Sequence, residues 1–293
     1  VLLWHFSHYS YQDLMFARNI LISAKELGLK VFPDYYTSWH FDDKISENYL
    51  LEAAGSKIPN SWIFYSYEEA NNWIDNLANF PIIGKLRCGS GSSNVKLVAN
   101  KKEALKYSSK MFGRGRKYTP NLLIKDSSNI KSARNLKTII RRVKRIPDFI
   151  ETMKKSKDFP NEKGYVYFQE FIPNEGFDLK VVVVNNKMSF IVRDVRNNDF
   201  RASGGGSLHY DKSLITKNII DSSFKTSNKL KFQCMGYDYV IDSRDGVAKI
   251  IEMSYGFSHI AIIDAEGYWD KDGNWINEPL NVPNEVIKSL IEN

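Results

Sequence analysis

Two hairpins in the second half of the chain narrow its possible folds more than any other feature. Residues 181–184 are expected to join 187–192 through Asn185-Asn186, a dipeptide that tolerates the positive φ angles of a two-residue turn. A second pair, 237–242 and 247–253, is linked by Arg244-Asp245-Gly246. If Gly246 is the left-handed residue of a three-residue turn, Ser243 faces Val247, and an unbulged ladder then sets Asp238 directly opposite Glu252. Ser254, two residues further on, shares that face. Two facing carboxylates repel unless a cation or a proton sits between them. Mg2+ takes oxygen ligands and uses one or two carboxylates together with substrate phosphates. A solvated pair at a sheet edge is the alternative, but Val240, Ile250 and Ile251 make the surroundings apolar.

The first half has a different rhythm. Residues 2–6 read as an apolar strand, Ser10 as a cap, and Leu14, Ala17, Leu21 and Ala24 as the inner face of a helix that Gly28 ends. A strand follows at 31–33, then a helix over 43–54 that stops at Gly55. Ser66-x-x-Glu69 is a capping box for a third helix, which Pro81 ends. Strands at 82–86 and 95–98 flank Cys88-Gly89-Ser90-Gly91-Ser92-Ser93, and Asn100-x-x-Glu103 opens a helix to about 112. Residues 113–163 are basic, with one helix whose inner face is Ile130, Ala133, Leu136, Ile140 and Val143. There is no internal repeat. Alternating αβ units followed by antiparallel hairpins predict an α+β protein in more than one lobe.

Composition excludes several classes. With 293 residues, 43% hydrophobic and 26% charged, the chain is globular rather than disordered or fibrous. No apolar run approaches a membrane span. Two cysteines, Cys88 and Cys234, rule out a disulfide scaffold and fit a reducing compartment. The opening VLLWHFSHYS has neither the cationic start nor the cleavage site of a secretory leader, and a cytoplasmic location is expected. Because the chain begins at Val1 rather than Met, further residues are expected to precede it. Lys and Arg outnumber Asp and Glu by 41 to 34, and residues 110–157 hold fifteen basic side chains against three acidic ones. A basic helix there could contact nucleic-acid phosphates. It lacks interleaved aromatics for base stacking, however, so a solvated face or a platform for an anionic substrate is the better reading.

Two further stretches can handle anions. Lys85 at a strand end, followed by the Gly/Ser loop, could cover a polyphosphate with backbone N–H groups, although it has neither the order of a P-loop nor the helix that follows one. Arg193, Arg196 and Arg201 lead into Gly204-Gly205-Gly206, a cationic stretch suited to phosphate or carboxylate. The alternatives are an ordinary hairpin turn and a solvated connector. Cys88 has no base near it in sequence, and His5, His8, His40, His209 and His259 have no metal-ligand spacing.

Taken in order, Lys85 with its Gly/Ser loop, Gln169-Glu170-Phe171-Ile172, Phe177-Asp178-x-Lys180, Asp199-x-Arg201-Ala-Ser-Gly-Gly-Gly206, and Gly236-x-Asp238 before Ile251-Glu252-x-Ser254 resemble the ATP-grasp superfamily. More narrowly they resemble its ribosomal-protein-modifying and glutathione-synthetase-like carboxylate–amine ligases. The resemblance spans residues 39–258. It implies an α+β fold of two lobes that clamp ATP behind a short α/β N-terminal domain: residues 1–60, then a small lobe 61–172 with a basic insertion at 113–163, then a large lobe 173–293. It implies that Lys44 and Lys85 reach phosphates, with Gly89, Ser90, Gly91 and Ser92 covering them. Gln169, Glu170, Phe171 and Ile172 would hold adenine, and Asp178 the ribose. Arg201, with Arg193 and Lys180, would serve the transferred phosphate. Asp238 and Glu252 would ligate one or two Mg2+ ions. Ser254 stands where the family has Asn; a hydroxyl is still an oxygen ligand.

The resemblance further implies an ATP-dependent ligase in which a carboxylate takes the γ-phosphoryl group and an amine displaces the phosphate. The protein would supply positioning and charge neutralisation. Expected partners are small-molecule, sugar or peptide carboxylates and amines, and a homodimer is compatible with the pattern. The alternatives are a kinase on the same scaffold and, from another class, a nucleic-acid-binding protein using 110–157.

Overall fold

The computed structural model describes residues 1–6, 10–89, 94–117, 154, 158–195 and 207–292. The chain clusters into two compact units. One comprises Val1–His5, Phe16–Asn60 and Phe171–Asn293; the other comprises Phe6–Met15 and Ser61–Glu170. Apart from Phe6–Met15, the N-terminal segment therefore groups with the C-terminal half of the chain.

The chain starts with β1 (Leu2–Leu3), helix α1 (Tyr11–Glu26) and β2 (Val31–Phe32), with the two strands paired in parallel. Ser10 caps α1 by accepting from the Asp13 N–H at 3.2 Å. A single turn, α2 (Tyr35–Ser38), is capped by Asp34. Helix α3 (Lys44–Ala54) begins at Asp43, whose carboxylate accepts from the Ser46 N–H, and ends on left-handed Gly55. This agrees with the sequence reading within one residue.

The second unit carries β3 (Ser61–Phe64), α4 (Tyr67–Asn76), β4 (Ile82–Lys85), β5 (Val95–Val98), α5 (Lys101–Phe112), β6 (Arg116–Lys117), β7 (Asn161–Glu162) and β8 (Val166–Glu170). Ser66 and Asn100 cap α4 and α5 as the capping patterns predict. Strands β3, β8, β4 and β5 form an antiparallel sheet in that order. Alternation puts Trp62, Phe64 and Phe168 on one face, where they pack around Trp73 of α4 and Tyr107 of α5. Gly84 lies under Tyr107, and a Cβ there would sit 3.1 Å from the ring. The other face carries Ile83, Lys85, Tyr167 and Gln169, all buried. The helix expected over residues 130–143, and most of the basic stretch with it, lies outside the described residues.

Returning to the first unit, the chain forms β9 (Phe177–Val184), β10 (Lys187–Asp194), β11 (Leu208–His209), α6 (Lys217–Leu230), β12 (Cys234–Ile241), β13 (Ala248–Ser254), α7 (His259–Ile263), β14 (Tyr268–Asp270), β15 (Trp275–Ile276) and α8 (Val282–Glu292). Seven strands make one antiparallel sheet in the order β13-β12-β9-β10-β14-β15, with β11 also on β10. Asn185 and Asn186, at φ 46° and 56°, make the expected tight turn between β9 and β10. One sheet face presents Leu179, Val181, Tyr237 and Tyr239. Helix α6 covers it, and the two tyrosine hydroxyls hydrogen-bond Ser227 and Ser223 of that helix at 2.7 and 2.9 Å. The opposite face is apolar at one end, where Val182, Val184, Ile191 and Cys234 pack with α7 and α8. At its other end it is charged.

The β12–β13 hairpin corrects the expected register. The Asp242 N–H donates to the Val247 carbonyl and Ile241 pairs with Ala248, so the turn contains Ser243 to Gly246, one residue more than expected. Carried on unbroken, that ladder would set Glu252 opposite Tyr237, on the face covered by α6. A bulge between Asp238 and Tyr239 intervenes: Tyr239 pairs with Ile250, Ile251 is the extra residue, and Asp238 pairs with Glu252. The expected pair is present because two one-residue departures cancel.

Candidate active site

The charged end of the sheet is built from four neighbouring strands and one helix. Arg193 on β10 pairs with Asp178 on β9, Lys180 on β9 pairs with Asp238 on β12, and Asp238 pairs with Glu252 on β13. Residues paired across antiparallel strands share a face, so these five side chains form a row in which cations and carboxylates alternate up to Asp238, where two carboxylates face each other. Arg193 holds both carboxylate oxygens of Asp178, Nε donating to Oδ1 at 2.9 Å and Nη2 to Oδ2. The same Nη2 lies 2.9 Å from Asp238 Oδ2, and Lys180 Nζ lies 2.5 Å from Asp238 Oδ1. Burial works to raise the Asp238 pKa, but Arg193 and Lys180 outweigh it and hold the carboxylate at about 2. Asp178, with no exposed surface, is pushed upward by burial against the pull of Arg193.

Helix α3 closes the far end of the row. Lys44, in its first turn and only 4% exposed, donates to Glu252 Oε1 at 2.9 Å. Burial opposes its charge, yet Glu252 and Glu47 together hold the ammonium above the ordinary lysine range. Glu47 lies one turn along α3, is equally buried, and accepts from the Met253 N–H at 3.4 Å through Oε2. Burial pushes its carboxyl well above the usual range, against Lys44. Sequence reading passed over Glu47; its place three residues after Lys44, on the inner stripe of a helix, was the available signal.

Ser254 pairs with Gly236 across the ladder, two residues from Glu252. Its hydroxyl accepts from the Gly256 N–H at 3.0 Å and donates to the Gly256 carbonyl at 3.2 Å, so it closes its own turn. Asp178, read from the resemblance as a ribose ligand, has both oxygens on Arg193. Lys44, read as a phosphate contact, is joined to Glu252. Arg201 and Arg196 lie outside the described residues.

In the other unit Lys85 ends β4 with its ammonium 5.8 Å from the centre of the Tyr167 ring. The Tyr167 hydroxyl accepts from Gln169 Nε2 at 3.1 Å, and the same amide reaches Ser61 Oγ at 3.1 Å. Gln169 thus spends its side chain within the sheet. The Lys85 carbonyl accepts from the Tyr107 hydroxyl at 3.1 Å, which fixes the strand end. Beyond it, Gly89 has φ 127°, and a Cβ there would fall 2.3 Å from Asn94 Nδ2. Asn94 is buried and donates to the Cys88 carbonyl at 3.2 Å, so the base of the loop is closed from inside. Ser90, Gly91 and Ser92 lie outside the described residues. Glu170 ends β8; Phe171 and buried Ile172 follow it, where the chain passes between units.

Cys88 and Cys234 are buried free thiols, and burial pushes the Cys234 thiol up to about 12. No group of three or more His, Cys, Asp or Glu with metal-holding geometry occurs among the described residues. No helix among them is long and apolar enough to cross a membrane.

No family model and no curated protein matches the sequence. Solved structures do. The biotin carboxylase domain of 2-oxoglutarate carboxylase from Hydrogenobacter thermophilus, crystallised with MgADP, ADP and bicarbonate, is similar with a TM-score of 0.53 and 13% identity over 85% of this chain and 47% of that one. Biotin carboxylase from Campylobacter jejuni, in a β-γ-ATP complex, is similar with a TM-score of 0.55 and 13% identity over 86% of this chain and 49% of that one. The chain spans about half the length of these solved structures. Its two α+β units, one on a four-stranded and the other on a seven-stranded antiparallel sheet, have the ATP-grasp fold.

Proposed function

We propose that this chain is an ATP- and magnesium-dependent ligase that joins a carboxylate to an amine, the carboxylate being activated as an acyl phosphate. One observation carries the reading: one sheet face interleaves Arg193, Asp178, Lys180 and Asp238, sets the Asp238 and Glu252 carboxylates directly opposite each other, and receives Lys44 from α3 at Glu252. The two similar solved structures contain adenine nucleotides, which supports the same reading.

Asp238 and Glu252 fit a divalent cation. They are hard oxygen donors, directly opposed, and set among buried neighbours that exclude bulk water. Magnesium held by them would offset phosphate charge as a Lewis acid. The chain's own cations complete the neutralisation. Lys180 and Arg193 stand at the Asp238 carboxylate, where a phosphate oxygen can take over their donors. Asp178 holds the Arg193 guanidinium in a fixed plane, so that it meets developing charge without reorganising. Lys85 and the loop after it would receive the outer phosphates, with Arg201 as a further cation near the transferred group. The backbone of Gln169, Glu170, Phe171 and Ile172 would receive the base. The acid to be activated is a small molecule, sugar acid, amino acid or peptide.

A panel of carboxylates and amines, assayed for ADP and phosphate release with mass spectrometry of products, tests the reading. A ligase releases both ADP and phosphate only when acid and amine are present, and forms an amide. Stable phosphorylated product without an amine requirement identifies a kinase instead.

A further inference from the structure

At the opposite end of β9 from Asp178, about 20 Å away by strand rise, the first unit contains a pocket of 590 Å3. The end of α1, the start of β2, the β9–β10 turn, the end of α6 and α8 converge on it. Its volume falls in the range of small-molecule sites. Lys25, Lys30 and Lys231 line it with a single carboxylate, Asp34.

Three features mark this as more than a solvated cleft. First, its floor is preformed. The Gln233 side chain accepts from the Asp34 N–H at 2.8 Å and donates to the Val31 carbonyl at 2.9 Å, while the Gln233 N–H donates to Thr37 Oγ1 at 2.9 Å. Second, Lys25 and Lys231 both line the pocket, and their ammonium groups lie 5.8 and 5.4 Å from the centre of the Tyr36 ring. Like charges gathered around one cavity repel unless an anion lies between them. The one carboxylate present is 3.5 Å from Lys25, and its Oδ1 is already occupied in capping α2 through the Thr37 N–H. Third, Lys231 is the residue that ends α6 and has φ 59°, ψ 37°, the left-handed conformation that helix ends normally assign to glycine. A lysine there strains the backbone, and strain retained in a structure points to a role for the side chain.

We propose that this pocket binds a small organic dianion, held between Lys25 and Lys231. The shared chemistry is that of a phosphate ester or of a peptide with paired carboxylates. Each offers two negative charges to two ammonium groups.

Lys231→Gly separates binding from folding, because glycine relieves the strained helix end while removing the ammonium. Calorimetric titration of the full chain with inorganic phosphate and, separately, with the dipeptide Glu-Glu is expected to give one-to-one binding of at least one of them. Affinity is expected to fall about tenfold or more in Lys231→Gly and in Lys25→Gln. Lys231→Gly is expected to melt at or above the wild-type temperature, and Lys217→Gln on the exposed side of α6 to bind like wild type. Binding of phosphate alone assigns the site to phosphate esters, and binding of Glu-Glu alone to acidic peptides. Absence of binding at millimolar ligand, or equal binding by Lys231→Gly and wild type, overturns the proposal.

Discussion

Lys44 Nζ donates to Glu252 Oε1 at 2.9 Å and joins the first turn of α3 to β13 across 208 positions of sequence. Both partners are largely removed from water, with side-chain exposures of 5% and 20%. The pair therefore has two consequences: it ties the N-terminal helix to the seven-stranded sheet, and it orients a proposed metal ligand.

Removing one partner of a buried pair strands the other charge. Glu252→Gln and Lys44→Met are each expected to lose about 2–3 kcal/mol in urea unfolding, and the double variant less than their sum. Strict additivity would show that the pair is not coupled. In calorimetry, Glu252→Gln is expected to remain folded and to lose magnesium-dependent ATP binding. Undiminished binding would remove Glu252 from the proposed metal site.

Ser254 distinguishes a ligand from a turn residue. Its hydroxyl is occupied at both donor and acceptor by Gly256, so Ser254→Ala is expected to cost about 0.5–1.5 kcal/mol of stability. Magnesium-dependent ATP affinity is expected to change by no more than about twofold. A tenfold loss would place the hydroxyl on the metal, as the motif position implies.

Gly89 tests the loop beyond Lys85. A methyl group there meets Asn94 Nδ2 at 2.3 Å and strains a φ of 127°. Gly89→Ala is expected to cost about 1–3 kcal/mol and to weaken ATP binding, measured by chemical unfolding and calorimetry. If both stay at wild-type values, the loop base is not the tight turn described.

His40 supplies a pH dependence. It is 1% exposed, packed against Trp39 and Phe232, and burial, reinforced by Arg18, lowers its pKa to about 4. The unfolded chain takes up this proton near pH 6.5, whereas the folded chain does not until about pH 4. Acid therefore favours unfolding: stability falls as pH drops from about 6.5 to 4, by up to about 3 kcal/mol from this group. His40→Phe is expected to flatten the stability curve in that window by a similar amount. Parallel wild-type and variant curves would show that His40 titrates normally.

Much of the fold could be read locally. Ser10, Asp43, Ser66 and Asn100 cap helices by reaching backbone only three residues away, and Asn185-Asn186 needs only its own φ angles to turn a chain. The Asp238–Glu252 pair was legible for a weaker reason. The sequence suggested the pairing through an unbroken ladder, whereas the chain reaches it through a longer turn and a compensating bulge at Ile251. A one-residue slip reverses every side chain beyond it, so the outcome depended on packing that no local pattern records. Burial of Tyr237 and Tyr239 under α6, with their hydroxyls on Ser227 and Ser223, favours the register that turns Asp238 and Glu252 to the opposite face.

The sequence by itself determined the element types, the helix ends, the antiparallel β-rich C-terminal half and the charged residue types available to a site. Those depend on interactions within a few residues, whose geometry the backbone dictates. Only the tertiary structure decided which charges meet. Lys44 joins Glu252 instead of standing free for a phosphate, Arg193 takes both oxygens of Asp178, and Glu47 enters the cluster. Each of these pairings closes a loop of many residues, and it holds because a buried charge without a partner costs several kcal/mol, whatever the separation along the chain.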